Sequence, residues 1–169
     1  LWKAQDSWGT LLALSSRHDV LVMSFQPTQY ALPSERGGRL MAFRASVGKP
    51  LWDRKVKYAT RPVINDSTVY AQGGAWDLVT GKDRPFTMSR SYGCGQISSS
   101  KSLMLFRSAT LGYFDLTRKA GVENFGGIRL GCWINAIPVG GLVLVPDGTV
   151  CTCSYLNRAS FALQQVDTE

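Results

Sequence analysis

The chain has 169 residues, 44% of them hydrophobic and 18% charged, and it carries a formal net charge of +7. This length favours one well-buried core over two domains, and the composition is too apolar for an intrinsically disordered protein. The longest apolar run, GGLVLVP at residues 140–146, is far too short for a transmembrane helix. The basic residues are scattered apart from residues 53–61, and no nucleic-acid motif accompanies that stretch, so nucleic acid is not an expected partner.

Short apolar segments separated by Gly, Asn, Asp and Ser recur along the chain, a pattern typical of β-strands joined by hairpin turns. In chain order, the first two groups are TLLALSS, DVLVMSF and MAFRASVGKPLW, then RPVIND, STVYAQ and GAWDLVTGKDRPF. The third and fourth are GQISSS, SLMLFRS and LGYFDLTRKAGVENF, then INAIPVG, GLVLVPD and ASFALQQVD. In GAWDLVTGKDRPF we predict a hairpin with a tight turn at Thr80-Gly81.

The groups repeat around the aromatic residues Phe43, Trp76, Phe114 and Phe161, at steps of 33, 38 and 47 residues. A step of this size with variable loops is typical of a β-propeller blade. Runs such as VLVM and LVLV are apolar at consecutive positions, as expected where sheets are stacked between neighbours. No window holds a long 3.6-residue periodicity, so helix should be sparse. We predict one all-β domain, a β-propeller of about four blades of four antiparallel strands, with approximate blade bounds 9–58, 59–92, 93–130 and 131–169 and an outer strand at 1–8.

The ends of the chain bear on how the propeller closes. The opening LWKA is similar to LWDRKV at residues 51–56, and the last predicted strand is not followed by an outermost one. LWKA either completes the last blade or is left over from a blade before residue 1. Four blades are few for a closed ring, so we expect an arc or half of a larger, eight-bladed propeller, completed by a second chain or by a longer one. Because residue 1 is Leu and no leader opens the chain, we expect a processed form or a fragment.

Two segments, AFRASVGKPLW and AWDLVTGK, resemble the repeat of the pyrroloquinoline-quinone (PQQ) dehydrogenases. The same repeat builds the lipoprotein of the outer-membrane assembly (Bam) complex and many uncharacterised extracytoplasmic propellers, and the chain from Tyr92 onward resembles a subfamily of the latter. The resemblance implies a PQQ-like β-propeller in the periplasm or otherwise outside the cytoplasm. Because propeller repeats carry many activities and none, it implies function poorly.

The resemblance also raises PQQ with calcium as a cofactor. The dehydrogenases hold PQQ under a disulfide of adjacent cysteines, above a tryptophan and beside calcium ligands. Here Cys151 and Cys153 are separated by one residue, and no group of Glu, Asn and Asp stands out as a calcium site. We therefore expect no cofactor and no metal, with PQQ and calcium as the alternative.

The four cysteines all follow residue 90. Cys94 and Cys132 are 38 residues apart, about one blade, and each precedes a predicted innermost strand. Cys151 and Cys153 would face the same side of an extended segment. Two disulfides, with pairings that reach across blades, are the favoured interpretation. A four-thiolate metal site and buried reduced thiols are the alternatives.

Arginine, aromatic and amide side chains lie near the cysteines in the sequence. Forked Arg donors and aromatic faces suit a small anionic or sugar-like ligand at the channel mouth. The candidate ligand-binding residues are Tyr92, Arg107, Tyr113, Arg129, Trp133 and Asn135. Alternatively, the aromatics wedge between blades and the arginines hydrogen-bond loop carbonyls.

No group of residues demands catalysis, so no catalytic residue is predicted, and whether the chain is an enzyme stays open. The favoured function is a non-catalytic scaffold that presents loops and a channel mouth to a protein or ligand. A PQQ-dependent oxidoreductase fragment and a polysaccharide-binding or -processing propeller are the alternatives.

Overall fold

In a computed structural model, the described residues are 11–25, 36–91, 93, 95–118, 120–131, 136–148 and 159–164. All regular elements among them are β-strands, which confirms the all-β prediction. The chain divides into two compact units, residues 1–87 and 88–169. The first contains β1 (Leu11–Ser15), β2 (Val20–Ser24), β3 (Arg36–Arg44), β4 (Pro50–Asn65), β5 (Thr68–Gln72), β6 (Gly74–Asp77) and β7 (Asp83–Arg84). The second contains β8 (Ser98–Ser99), β9 (Leu103–Ser108), β10 (Thr110–Asp115), β11 (Val122–Phe125), β12 (Ile137–Val139), β13 (Leu142–Val145) and β14 (Phe161–Gln164).

The seven strands of the first unit form one antiparallel sheet in sequence order. Its central strand, β4, has 16 residues and pairs with two neighbours: residues up to Ala59 pair with β3, and Ala59 and residues 63–65 pair with β5. The pairing register shifts between Ala59 and Val63, and Thr60 between them has a positive φ of 69°. The strand therefore turns a corner there and passes from one four-stranded group to the next. The predicted boundary between the first two blades, at residues 58 and 59, lies at this corner; the blade bounds stay a prediction.

The core of the first unit lies between these two groups of strands. Small and branched side chains from β2 and β3 pack against side chains from β5 and β6 and against two aromatic residues of β4. The buried members are Val20, Val22, Leu40, Ala42, Trp52, Tyr58, Val69, Ala71, Trp76 and Leu78. On the other face of β2 and β3, Met23, Met41 and Phe43 form a second buried cluster. The VLVM run is thus buried on both faces, as its composition predicts.

The second unit contains two antiparallel sheets, β11-β10-β9-β8 and β12-β13-β14. Leu105 and Leu111 of the first sheet pack with Val145 of the second, together with Leu130 and Ala136. The LVLV run of β13 behaves differently from VLVM: Val145 is buried, whereas Leu144 is 36% exposed. Within the described residues of the second unit, no sheet packs on its outward face.

Candidate functional site

Most of the predicted site residues lie outside the described part of the chain. These are Tyr92, Trp133 and Asn135 and the four cysteines, Cys94, Cys132, Cys151 and Cys153. The candidate pocket and the disulfides therefore stay predictions. The remaining three candidates, Arg107, Tyr113 and Arg129, are described, and all three belong to the second unit.

Arg107 lies on β9 and its side chain is fully buried. It stands opposite Leu111 in the β9–β10 register, diagonal to Tyr113, so Arg107 and Tyr113 share one face of the hairpin. A Cβ built on Gly93 would lie 2.5 Å from the Arg107 carbonyl oxygen, so the backbone at Gly93 packs directly on this strand. A ligand can reach the Arg107 guanidinium only by displacing residues that cover it. Arg129 is half-buried.

Tyr113 belongs to a polar network at the β10–β11 turn. Its hydroxyl donates a 2.7 Å hydrogen bond to Oε2 of Glu123, the residue opposite it on β11. Arg118 donates to Oε1 of Glu123 and also lies 3.2 Å from Oδ2 of Asp115. The hydrogen bond from Tyr113 and the Arg118 guanidinium lower the pKa of Glu123, and the same bond to the carboxylate raises the pKa of Tyr113. The Tyr113 hydroxyl is therefore engaged in closing its own turn.

Two aspartates close equivalent turns, one in each unit. Asp77 and Asp115 directly follow the repeat aromatics Trp76 and Phe114. Oδ1 of Asp115 accepts hydrogen bonds from the backbone and hydroxyl of Thr117, which lower its pKa. Sequence reasoning did not single out these carboxylates, although an Asp after two of the four repeat aromatics was the available signal. Their contacts are those of turn-forming residues.

The turn at Asp77 also explains a difference from prediction. Oδ1 of Asp77 accepts hydrogen bonds from the Val79 amide (3.1 Å), the Thr80 amide and the Thr80 hydroxyl (both 2.8 Å). The carboxylate thereby folds the chain away from the sheet immediately after Asp77. β6 ends at this residue, and five residues, including the predicted Thr80-Gly81 pair, form the link to β7.

An open groove of about 550 Å³ is present in the second unit. Three chain segments form it: the residues between β8 and β9, the end of β10 with the turn that follows, and the β12–β13 hairpin. The lining alternates hydroxyl and carboxylate groups with apolar side chains, and includes Ser100, Ser102, Asp115, Thr117, Val139 and Leu142. Gly140 and Gly141, both with positive φ, turn the hairpin at its rim. Such a surface can hydrogen-bond a polar backbone while contacting apolar side chains.

None of the three described candidates lines this groove. Sequence reasoning identified its parts only as turns, because nothing in the spacing of the turns shows that they meet in space. No group of three His, Cys, Asp or Glu side chains able to hold a metal ion occurs within the described residues. In the same part of the chain, no helix is long and apolar enough to cross a membrane.

Comparisons with known proteins bear on the fold. No model of a known protein family matches the sequence, and no curated protein sequence matches it. Among solved structures, the computationally designed Ika4 protein is similar with a TM-score of 0.62 and 13% identity, over 96% of this chain and 94% of that chain. The computationally designed Ika8 protein is similar with a TM-score of 0.51 and 13% identity, over 85% of this chain and 44% of that chain. BamB from Moraxella catarrhalis matches with a TM-score of 0.48 and 18% identity, over 80% of this chain and 43% of that chain.

The chain thus spans nearly all of one designed protein and less than half of Ika8 and of BamB. The consecutive antiparallel sheets, together with the likeness to the designed propeller proteins, show an all-β fold of the β-propeller type. The predicted fold class is confirmed, and the number of blades stays a prediction.

Proposed function

We propose that this chain is a non-catalytic domain with PQQ-like β-propeller repeats, located outside the cytoplasm, which binds a protein partner. The groove of the second unit carries the proposal. Its lining combines Ser and Thr hydroxyls and glycine backbone with the apolar residues Pro138, Val139 and Leu142. A short extended peptide needs both, since its backbone requires hydrogen bonds and its side chains require apolar contact.

The contact between two repeat motifs supports the PQQ-like part of the proposal. Trp52, the last residue of AFRASVGKPLW, donates a buried 2.9 Å hydrogen bond from Nε1 to the Leu78 carbonyl of AWDLVTGK. A Cβ on Gly81 would lie 2.8 Å from the Trp52 ring, so the glycine is required for this packing. Arg54 donates to the Gly81 carbonyl at 2.7 Å. The residues that carry the resemblance are thus those that join one repeat to the next.

The charged groups of the described turns favour binding over catalysis. Asp77 is engaged by Arg84 and Thr80, and Asp115 by Thr117 and Arg118. A general acid or base must present its proton-exchanging atom to a substrate. Here both oxygens of each carboxylate accept contacts from the residue's own turn or its neighbouring strand.

Peptide selection followed by a groove-filling variant tests the proposal. A peptide selected from a random displayed library on the wild-type protein is synthesised, and its dissociation constant is measured by fluorescence anisotropy. Ser102→Trp places an indole on the exposed lip of the groove and should weaken binding at least about tenfold. The matched control Val47→Trp changes a residue that is 63% exposed in a turn of the first unit and should leave the affinity unchanged.

Three outcomes contradict the proposal. Equal affinity of the Ser102→Trp variant, with unchanged far-ultraviolet circular dichroism, shows that the peptide binds elsewhere. Binding on a glycan array without any selectable peptide favours the polysaccharide alternative. Dye reduction after reconstitution with PQQ and calcium favours the oxidoreductase alternative.

A further inference from the structure

The outward face of the sheet β12–β14 is apolar and exposed. The register places Ile137 opposite Leu144, and Leu144 opposite Ala162; the next row on this face is Val139, Leu142 and Gln164. We call these six residues the end face; Val139 and Leu142, in its second row, also line the groove. Ile137, Val139 and Leu144 are 45%, 51% and 36% exposed. The opposite side of the same sheet, with Val143, Val145, Phe161 and Leu163, packs into the core of the second unit.

The first sheet has a similar face. Leu12 stands opposite Met23, which stands opposite Met41; the next row is Leu14, Leu21 and Phe43. We call these six residues the start face. Leu12 and Leu14, on the edge strand β1, are 64% and 62% exposed, whereas Leu21 is half-buried and Met23, Met41 and Phe43 are buried, so the exposed part of the start face lies along β1. The opposite side of these strands, with Ala13, Val20, Val22, Leu40 and Ala42, belongs to the core of the first unit.

Exposed apolar side chains are concentrated on these two faces. Of the eight large hydrophobic residues exposed in the described part of the chain, five lie on the start face or the end face. Three are scattered elsewhere: Val47, Val79 and Phe125. Scattered apolar residues are ordinary on a protein surface, whereas a contiguous apolar patch indicates an interaction site. Both faces are therefore expected to be covered in the assembled protein.

The first unit shows how this fold covers such a face. There, Val22 and Ala42 of one strand group pack against Val69 and Ala71 of the next, apolar face against apolar face. By the same packing, the start face needs a sheet before it and the end face needs a sheet after it. One chain has one start face and one end face. In a pair of copies, the start face of each copy can therefore cover the end face of the other.

The comparisons support a second copy as the occupant. The chain matches 44% of Ika8, so a single polypeptide of the same fold continues for about as long again beyond the matched part. It also matches 94% of Ika4, so Ika4 is a polypeptide of about this length with the same fold. We propose that the start face of one copy packs against the end face of a second copy, and the reverse, in a homodimer.

Sedimentation equilibrium of the wild-type chain and two single variants tests this pairing. The wild type should sediment at micromolar concentration with twice the chain mass. Leu14→Glu on the start face and Leu144→Glu on the end face should each weaken self-association by about 100-fold or more, because either change buries a charge in both interfaces. Val47→Glu, in an exposed turn, is the matched control and should remain dimeric.

Mixing the two single variants distinguishes start-to-end pairing from pairing of like faces. In a mixed dimer, one interface carries both glutamates and the other carries none, so the mixture should associate more strongly than either variant alone. A monomeric wild type, or a dimer unaffected by Leu144→Glu, overturns the proposal. So does equal disruption by Val47→Glu, or a mixture no stronger than its components. The substituted residues are exposed, and circular dichroism checks that each variant is folded; Leu14→Gln and Leu144→Gln are the milder substitutes if either is not.

Discussion

The ion pair of Asp77 with Arg84 stabilises the folded chain, and its contribution to the free energy of folding can be calculated from the structure. Arg84 Nη2 lies 2.6 Å from Asp77 Oδ2, and the Asp77 side chain is only 25% exposed. Burial pushes the pKa of Asp77 upward. The bond from Arg84 and those from Thr80 and Val79 outweigh it, and the pKa falls from 3.8 to about 2. Since one pKa unit corresponds to about 1.4 kcal/mol, the ionised form contributes about 2 kcal/mol to folding.

Asp77→Asn should remove this contribution while keeping the turn. The amide oxygen can still accept the bonds from Thr80 and Val79, but its NH₂ group faces the Arg84 guanidinium, donor against donor. We expect a loss of about 2 kcal/mol at about pH 7. With a urea dependence of about 2 kcal/mol per molar, the unfolding midpoint should fall by about 1 M. Fluorescence of the buried Trp52 and Trp76 reports unfolding of this unit.

The pH dependence of the stability difference between the wild type and Asp77→Asn is the sharper test. The folded-state pKa is lowered, so the stabilisation is complete above the unfolded pKa and is lost as the pH falls towards about 2. The midpoints of wild type and variant should therefore converge between about pH 5 and about pH 2. Asp83→Asn is the control: Asp83 pairs with Arg54 at 3.0 Å but is 71% exposed, so its loss should cost at most about 0.5 kcal/mol. A pH-independent effect of Asp77→Asn, or one no larger than that of Asp83→Asn, would refute the reasoning.

Three further changes have expected outcomes. Gly112→Ala brings a Cβ to 2.8 Å from the Ser108 Cβ and should lower the free energy of unfolding by about 1–3 kcal/mol. At Gly126 a Cβ has open space, so Gly126→Ala should lower the free energy of unfolding by less than about 1 kcal/mol. Urea denaturation of the two variants measures both effects. Trp52→Phe leaves the buried Leu78 carbonyl without its indole donor and should cost about 1–3 kcal/mol in the same assay. Burial raises the pKa of Tyr58 to about 12, so stability should fall as the pH rises from about 10 to about 12. In an ultraviolet titration, Tyr58→Phe should remove one tyrosine ionisation at about pH 12.

Strand positions could be predicted closely where both faces of a strand are apolar. The segment 19–25 contains β2, which runs from Val20 to Ser24. The continuous strand β4 could not be predicted, because Pro62 and the basic residues before it resemble a break between two strands. The structure shows why Pro62 is tolerated. It lies between Ala59 and Val63, where the register shifts, so its missing N–H costs no ladder hydrogen bond.

The site residues were harder to predict than the strands. The sequence predicts that Arg107 offers its guanidinium to a ligand, because it lies near the cysteines in the sequence and arginine supplies forked donors. Yet Leu103, Leu105 and Arg107 alternate along β9 and share the face that packs into the second unit. Arg107 is therefore buried together with the strand residues on the same face. The sequence LMLFRS contains this signal, because Arg107 follows Leu103 and Leu105 at a spacing of two residues. In the structure, every residue from Met104 to Ser108 is buried.

The runs VLVM and LVLV have nearly the same composition but different surroundings. In β2, Val20 and Val22 belong to the core of the first unit, and on the other face Met23 is buried beside Met41 and Phe43 of the neighbouring strand β3. In β13, Val143 and Val145 face the core, whereas Leu144 is left exposed. A strand that needed to be apolar on one face only would gain solubility from a polar residue at position 144. Both faces of β13 are nevertheless aliphatic, as expected if its outward face packs against the second copy proposed above.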